Sequence, residues 1–279
     1  MKLKIYILFI LTFSTSLTVS CSPTENESSN PGFQQFELIP DPPDVTITTL
    51  FDNIENDNRL TTEWGFSALI EYGDVTILFD TGLDGSILIN NMNILGIDPQ
   101  EIDKIVISHD HGDHTGGLEA ILQTGITPDV YLLGSFSSQL RSMVESYTNL
   151  FIADEAVEIT RGVYSTGQVP INVTEQALIV TTKQGLVTIT GCAHPGADVM
   201  VNKTNQLIDG DIYLVMGGFH MGVISGALVQ DVIDHFREHG VQNVMCSHCT
   251  GYDAMNIFRN QYGTNFFEGG VGRVITITD

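Results

Sequence analysis

The chain has 279 residues, enough for one large domain or two small ones around a sizeable core. Lys and Arg total 11 against 34 Asp and Glu, a formal net charge of −23. So acidic a surface repels phosphate backbones, which argues against nucleic acid as a partner and leaves a small-molecule substrate.

Lys2 and Lys4 precede an apolar run over residues 5–19, the pattern of a secretory signal occupying residues 1–20. That run is short of the ~20 apolar residues that span a bilayer. Leu17-Thr18-Val19-Ser20-Cys21 is similar to a bacterial lipoprotein cleavage box, with Cys21 as the lipidated first residue. Plain secretion, with Cys21 buried or free, is the alternative. Residues 21–44 read as a flexible polar tether running through Pro40-Asp41-Pro42-Pro43. Together these predict an exported protein, lipid-anchored in the bacterial cell envelope (periplasm or outer membrane). It would touch the membrane only through Cys21.

Residues 45–51 alternate as a strand. Residues 66–72 and 75–79 form two more around the hairpin signal Gly73-Asp74. Phe79-Asp80-Thr81-Gly82 closes the second, and residues 86–95 read as a helix stopped by Gly96. Ile105, Val106 and Ile107 then make a buried strand within residues 104–108. His109, Asp110, His111, Gly112, Asp113 and His114 follow at once, and Gly116-Gly117 opens a helix at Leu118. With a strand before it and a helix after it, this cluster is a metal site rather than an ordinary polar turn. Imidazole and carboxylate together suit zinc, iron or manganese.

A strand over 130–133 and a helix over 137–147 complete the first half. Strands over 177–182 and 186–190 open the second. Gly191-Cys192-Ala193-His194-Pro195-Gly196 follows, then a helix through Leu207. A strand over 212–216 ends in Gly217-Gly218-Phe219-His220. Residues 225–239 read as an amphipathic helix, with Leu228, Val229, Val232, Ile233 and Phe236 on one face and His235 and His239 on the polar side. A strand over 241–245 leads into Cys246-Ser247-His248-Cys249, then come a helix over 252–262 and a strand over 272–278. The two halves predict an α/β domain over residues 45–279: two mixed sheets face to face, helices outside. The histidine-bearing loops all leave the C-terminal ends of strands, so they can meet on one edge.

The cysteines are Cys21, Cys192, Cys246 and Cys249. With Cys21 lipidated, three remain, which cannot all pair within one chain. Cys246 and Cys249 have the C-x-x-C spacing but no second pair to complete a four-sulfur zinc site. A disulfide in this region is compatible with an oxidising compartment, and the pattern leaves it open.

His109-x-His111-x-Asp113-His114, with Asp80, His194 and His248 each after its own strand, resembles the metallo-β-lactamase fold superfamily over nearly all of residues 45–279. The segments 191–196, 217–220 and His248-Cys249-Thr250-Gly251 are similar to the dihydropterin ribofuranosyl-aminobenzene-phosphate synthase-like group within it. The resemblance implies a four-layer αβ/βα sandwich and one or two divalent ions, zinc first, with iron or manganese also compatible. It implies that His109, His111 and His194 bind one ion and Asp113, His114 and His248 another, while Asp80 orients a ligand histidine. It implies a hydrolase in which metal-activated water attacks a small ester, cyclic phosphate or lactone-like substrate.

One departure stands out. Many two-ion members carry a bridging aspartate after the strand at 212–216, whereas this chain has Gly217-Gly218-Phe219-His220; Asp209 and Asp211 lie at the other end of that strand. Asp113 and His220 are the candidate catalytic residues. His220 either donates a proton to a leaving group or binds a substrate anion, or else it is a strand-end histidine satisfied by backbone. Cys192 and Cys249 are packing residues or functional thiols, and Trp64 packs or lines a pocket. A β-lactamase, a mononuclear-iron redox enzyme and a non-catalytic metal- or ligand-binding lipoprotein are the alternative functions.

Overall fold

The computed structural model describes residues 35–278. The signal over residues 1–20 and the anchor at Cys21 lie outside the described residues, as does most of the tether.

The first half supplies β1 (Val45–Phe51), β2 (Ser67–Tyr72), β3 (Val75–Phe79), α1 (Gly85–Leu95), β4 (Lys104–Val106), α2 (Gly112–Thr115), α3 (Leu118–Leu122), β5 (Asp129–Leu132) and α4 (Ser138–Tyr147). Short strands β6 (Leu150–Ile152), β7 (Val157–Thr160) and β8 (Val163–Ser165) follow. Then come β9 (Leu178–Thr182), β10 (Gly185–Thr190), α5 (Ala197–Leu207), β11 (Ile212–Gly218), α6 (Gly226–Glu238), β12 (Asn243–Ser247), α7 (Tyr252–Tyr262) and β13 (Val274–Ile277). One sheet runs β13-β1-β2-β3-β4-β5-β6 and the other β12-β11-β10-β9-β8-β7. Strands β3 to β6 are parallel, as are β10 to β12; the remaining pairs are antiparallel, between strands consecutive in the chain except for β1 with β13. Among the described residues no helix is long and apolar enough to cross a membrane.

The side-chain period of a strand sorts the core into three layers. Ile77 and Phe79 of β3 face Val187, Ile189, Leu214 and Met216 of the opposite sheet, closing the space between sheets. Leu78, from the other face of β3, meets Leu88 and Met92 of α1 and Leu118 and Ile121 of α3. Val215 of β11 packs with Met200 of α5, Val229, Ile233 and Phe236 of α6 and Phe258 of α7. Strands covered on both faces need apolar residues at every position, which is why they read as runs. The result is the four-layer sandwich, helices outside.

Three differences from the sequence reading have physical reasons. Strands β6 to β8 are three or four residues long, and so give no periodic signal. Leu228 sits on the apolar stripe of α6 yet is 53% exposed, because the layer under α6 buries Val229, Ile233 and Phe236, with Val232 partly buried beside them. From Phe36 onward the expected tether lies on the domain. Phe36 N–H donates to Leu207 O at 2.8 Å, its ring stacks on Tyr164 at 4.3 Å, and Ile39 packs against the inter-sheet core.

Candidate metal centre

Every expected site residue sits just beyond the C-terminal end of a strand, where open sheets commonly bind ligands. Asp80 follows β3, His109 follows β4, His194 follows β10, His220 follows β11 and His248 follows β12. The chain must turn sharply to present these groups. Asp80, Ala193, His220 and His248 all have positive φ, between 49° and 56°. Such a backbone costs of order 1–3 kcal/mol per residue and persists only where the surroundings hold it.

The three loops meet. His109 Nε2 and His111 Nδ1 are 3.1 Å apart, and the His194 ring lies 4.7 Å from that of His109 and 4.9 Å from that of His111. Asp113 Oδ2 lies 3.6 Å from His114 Nε2 and 3.3 Å from His248 Nε2. The two groups adjoin through His109 and His114, whose ring centroids are 4.2 Å apart. The Asp of the cluster that points elsewhere is Asp110, whose carboxylate accepts from Ser137 N–H at 2.7 Å, at the start of α4.

A layer of polar groups beneath sets the ring orientations. Asp80 Oδ2 meets His114 Nδ1 at 2.7 Å, and the Asp80 carboxylate also accepts from Ser108 N–H and Ser108 Oγ. Ser108 Oγ is 2.9 Å from His109 Nδ1, and Asn53 Oδ1 is 2.9 Å from His248 Nδ1. With their Nδ1 atoms engaged, His109, His114 and His248 turn Nε2 toward the centre. Gly191 makes the close approach possible: a Cβ there would stand 2.1 Å from Ser108 Oγ.

The donor set fits a cation. The buried atoms His194 Nε2 and His248 Nε2 have no hydrogen-bond partner. Leaving such a group unpaired costs about 1–3 kcal/mol, which coordination would remove. Burial and the neighbouring imidazoles drive the His109 pKa far down and that of His194 to about 4, so both rings are neutral at pH 7 and offer lone pairs. Partial burial pushes Asp113 up, but contact with His248 and His114 outweighs it and keeps the carboxylate ionised.

Sequence reasoning missed two residues. Fully buried Glu175 accepts N–H bonds from Gly191, Cys192 and Ala193 on Oε1 and from His194 on Oε2, all at 2.8–3.1 Å. It thereby holds the whole His194 loop. An acidic residue abutting an apolar strand was the available signal. Asn53 had none, since it meets His248 from 195 residues away.

The residues left open are now placed. His220 is exposed, with its ring 4.3 Å from that of His194 and its backbone N–H on Cys249 Sγ at 3.3 Å. Trp64 is 48% exposed and its ring tilts over His248 at 4.7 Å, on the rim of the site and out of the core. His235 is exposed, and His239 Nδ1 pairs with Asn205 Nδ2 at 3.0 Å. Cys192, Cys246 and Cys249 are buried free thiols.

Comparison with known proteins agrees with this geometry. The metallo-beta-lactamase superfamily profile matches residues 64–205. A 7,8-dihydropterin-6-methyl-4-(beta-D-ribofuranosyl)-aminobenzene-5'-phosphate synthase of Methanocaldococcus jannaschii is 26% identical, covering 83% of this chain and 96% of its own. The crystal structure of Tm1679, a metal-dependent hydrolase of the beta-lactamase superfamily, is 28% identical with a TM-score of 0.70, over 84% of this chain and all of that one. A diphosphatase from the PhnP family, 14% identical with a TM-score of 0.56 over 84% of this chain and 97% of its own, shares the fold. The chain belongs to the metallo-beta-lactamase superfamily, as a metallo-hydrolase.

Proposed function

We propose that this chain hydrolyses a small ester, cyclic phosphate or lactone-like substrate with two divalent ions, zinc first. The observation that carries the reading is the meeting of two donor groups from three distant loops: His109, His111 and His194 beside Asp113, His114 and His248. Ions held there would supply Lewis acidity, which lowers the pKa of water and offsets negative charge on a carbonyl or phosphoryl oxygen. Asp113 is the one carboxylate in the donor set, so it takes the proton shed by the attacking water. His220 stands exposed beside His194 and delivers a proton to the leaving group.

The net charge of −23 supports a small substrate over a nucleic acid. The export pattern in residues 1–21 argues against carrying over the synthase activity of the archaeal relative. We read that pattern as placing the domain in the cell envelope on a lipid at Cys21. Incorporation of a radioactive fatty acid, lost in Cys21→Ala, tests the anchor.

The test of function is metal content of the purified full chain, then turnover of a panel of esters, cyclic phosphodiesters and lactones with that metal restored. Two ions per chain and chelator-sensitive turnover are expected. One ion per chain sinks the two-ion reading, and turnover indifferent to chelator sinks the hydrolytic one. Nitrocefin in the panel separates a β-lactamase from the rest.

A further inference from the structure

The donor atoms at this centre include a sulfur. Asp113, His114, Cys192 and His248 offer four donor atoms that all lie within 4.8 Å of one another. His109, Cys192 and His194 offer three more within the same limit. Among the described residues, Cys192 is the side chain common to both groups, and it also belongs to a third, with His220 and Cys249. Its sulfur is buried and lies 3.2 Å from His114 Nε2. Each group also contains a buried imidazole nitrogen without a hydrogen-bond partner, His248 Nε2 in one and His194 Nε2 in the other.

The second thiol nearby is occupied otherwise. Cys249 S–H donates to Cys192 O at 3.7 Å, and its sulfur accepts from His220 N–H at 3.3 Å. At the end of β11 there is no room for a ligand side chain at Gly217 or Gly218. A Cβ on Gly218 would stand 2.4 Å from Gly191 O and 2.6 Å from Cys249 Sγ, and one on Gly217 would stand 2.0 Å from Thr190 O. Glu175 meanwhile fixes the Cys192 backbone N–H at 2.9 Å, so the sulfur is held in place from below.

We propose that Cys192 is a ligand of the metal centre, its sulfur shared between the His109–His194 side and the His114–His248 side. On coordination it loses its S–H proton to solvent and binds as thiolate. The inference rests on the two-ion reading above. A thiolate between borderline-soft ions favours zinc or cobalt over manganese.

Cobalt(II) replacing zinc makes the sulfur visible, because a cobalt–thiolate bond absorbs strongly in the near ultraviolet and a cobalt–imidazole bond does not. The full chain, purified reduced and with its free thiols counted, is titrated with cobalt(II). The thiolate absorption is expected to grow through both equivalents. It should persist in Cys249→Ser and vanish in Cys192→Ser and Cys192→Ala, with affinity falling about tenfold or more. Two cobalt ions bound without that absorption overturn the inference and leave the two-ion reading standing. So does an absorption that follows Cys249, or one complete after a single equivalent. A chain that binds no cobalt at all removes both. If the Cys192 variants fail to fold, the wild-type spectrum together with that of Cys249→Ser still decides between these outcomes.

Discussion

The Asp80 carboxylate touches His114 Nδ1 at 2.7 Å, with both side chains fully buried. That contact leaves Nε2 of His114 as the atom facing the donor groups. It also ties two strand ends together, since Asp80 follows β3 and takes the N–H of Ser108 beyond β4.

Asp80→Asn keeps the shape but reverses this. The amide can still accept from Ser108 N–H, but its NH2 then faces Ser108 Oγ and His114 Nδ1. His114 is pushed into the tautomer with its proton on Nε2, where a ligand needs a lone pair. Metal affinity should fall about 10–100-fold. Competition with a chromophoric chelator reads it, and unchanged affinity would remove Asp80 from the ring-orienting role.

Glu175→Gln should destabilise the fold and loosen the His194 loop. The carboxylate satisfies four backbone N–H groups, and an amide turns its own N–H groups toward some of them. Each donor left unpaired costs about 1–3 kcal/mol. Urea unfolding should show a lower midpoint at unchanged slope.

The same residue gives the metal-free chain a pH dependence. Burial raises the Glu175 pKa from 4.5 to about 7, against the N–H bonds that lower it. Between those two values Glu175 holds more proton in the folded state than in the unfolded one, so its contribution to stability falls as pH rises. At most the loss is about 3 kcal/mol, and it levels off above neutrality. His109 and His194, depressed in the fold, tilt both chains the other way, so the measure is the difference between wild type and Glu175→Gln. The wild-type advantage should shrink as pH rises across that window, and a constant difference would remove Glu175 as its source.

His248→Ala should halve the metal content. It removes one donor from the Asp113–His114 group and leaves His109, His111 and His194 in place. Elemental analysis after dialysis should find one ion where the wild type holds two. Retention of both ions would show that His248 is dispensable.

Trp64→Ala should separate binding from folding. The half-exposed ring leans on His248 and contributes little to the core. The unfolding free energy should stay within about 0.5 kcal/mol of wild type. KM for a responsive substrate should rise with kcat nearly unchanged, as expected when uniform binding contacts are removed. A large stability loss would return Trp64 to a packing role.

What the sequence by itself determined is local. Alternation placed β1 at its observed bounds, and the helix expected over 252–262 coincides with α7. The spacing of His109, His111, Asp113 and His114 set four donors on one strand-to-helix turn, because neighbours in the chain cannot move far apart. Only the tertiary structure decided what crosses the molecule: that Glu175 grips the His194 loop, that Asn53 orients His248, and that the Cys192 sulfur faces both donor groups. The Glu175 and Asn53 contacts join residues 16 or more positions apart, and a buried polar group takes whichever partner the packed sheets bring within reach. No periodicity in the chain encodes that choice. It follows from the sandwich closing, which is also why the segment from Phe36, polar and proline-rich in sequence, ends up lying on the domain.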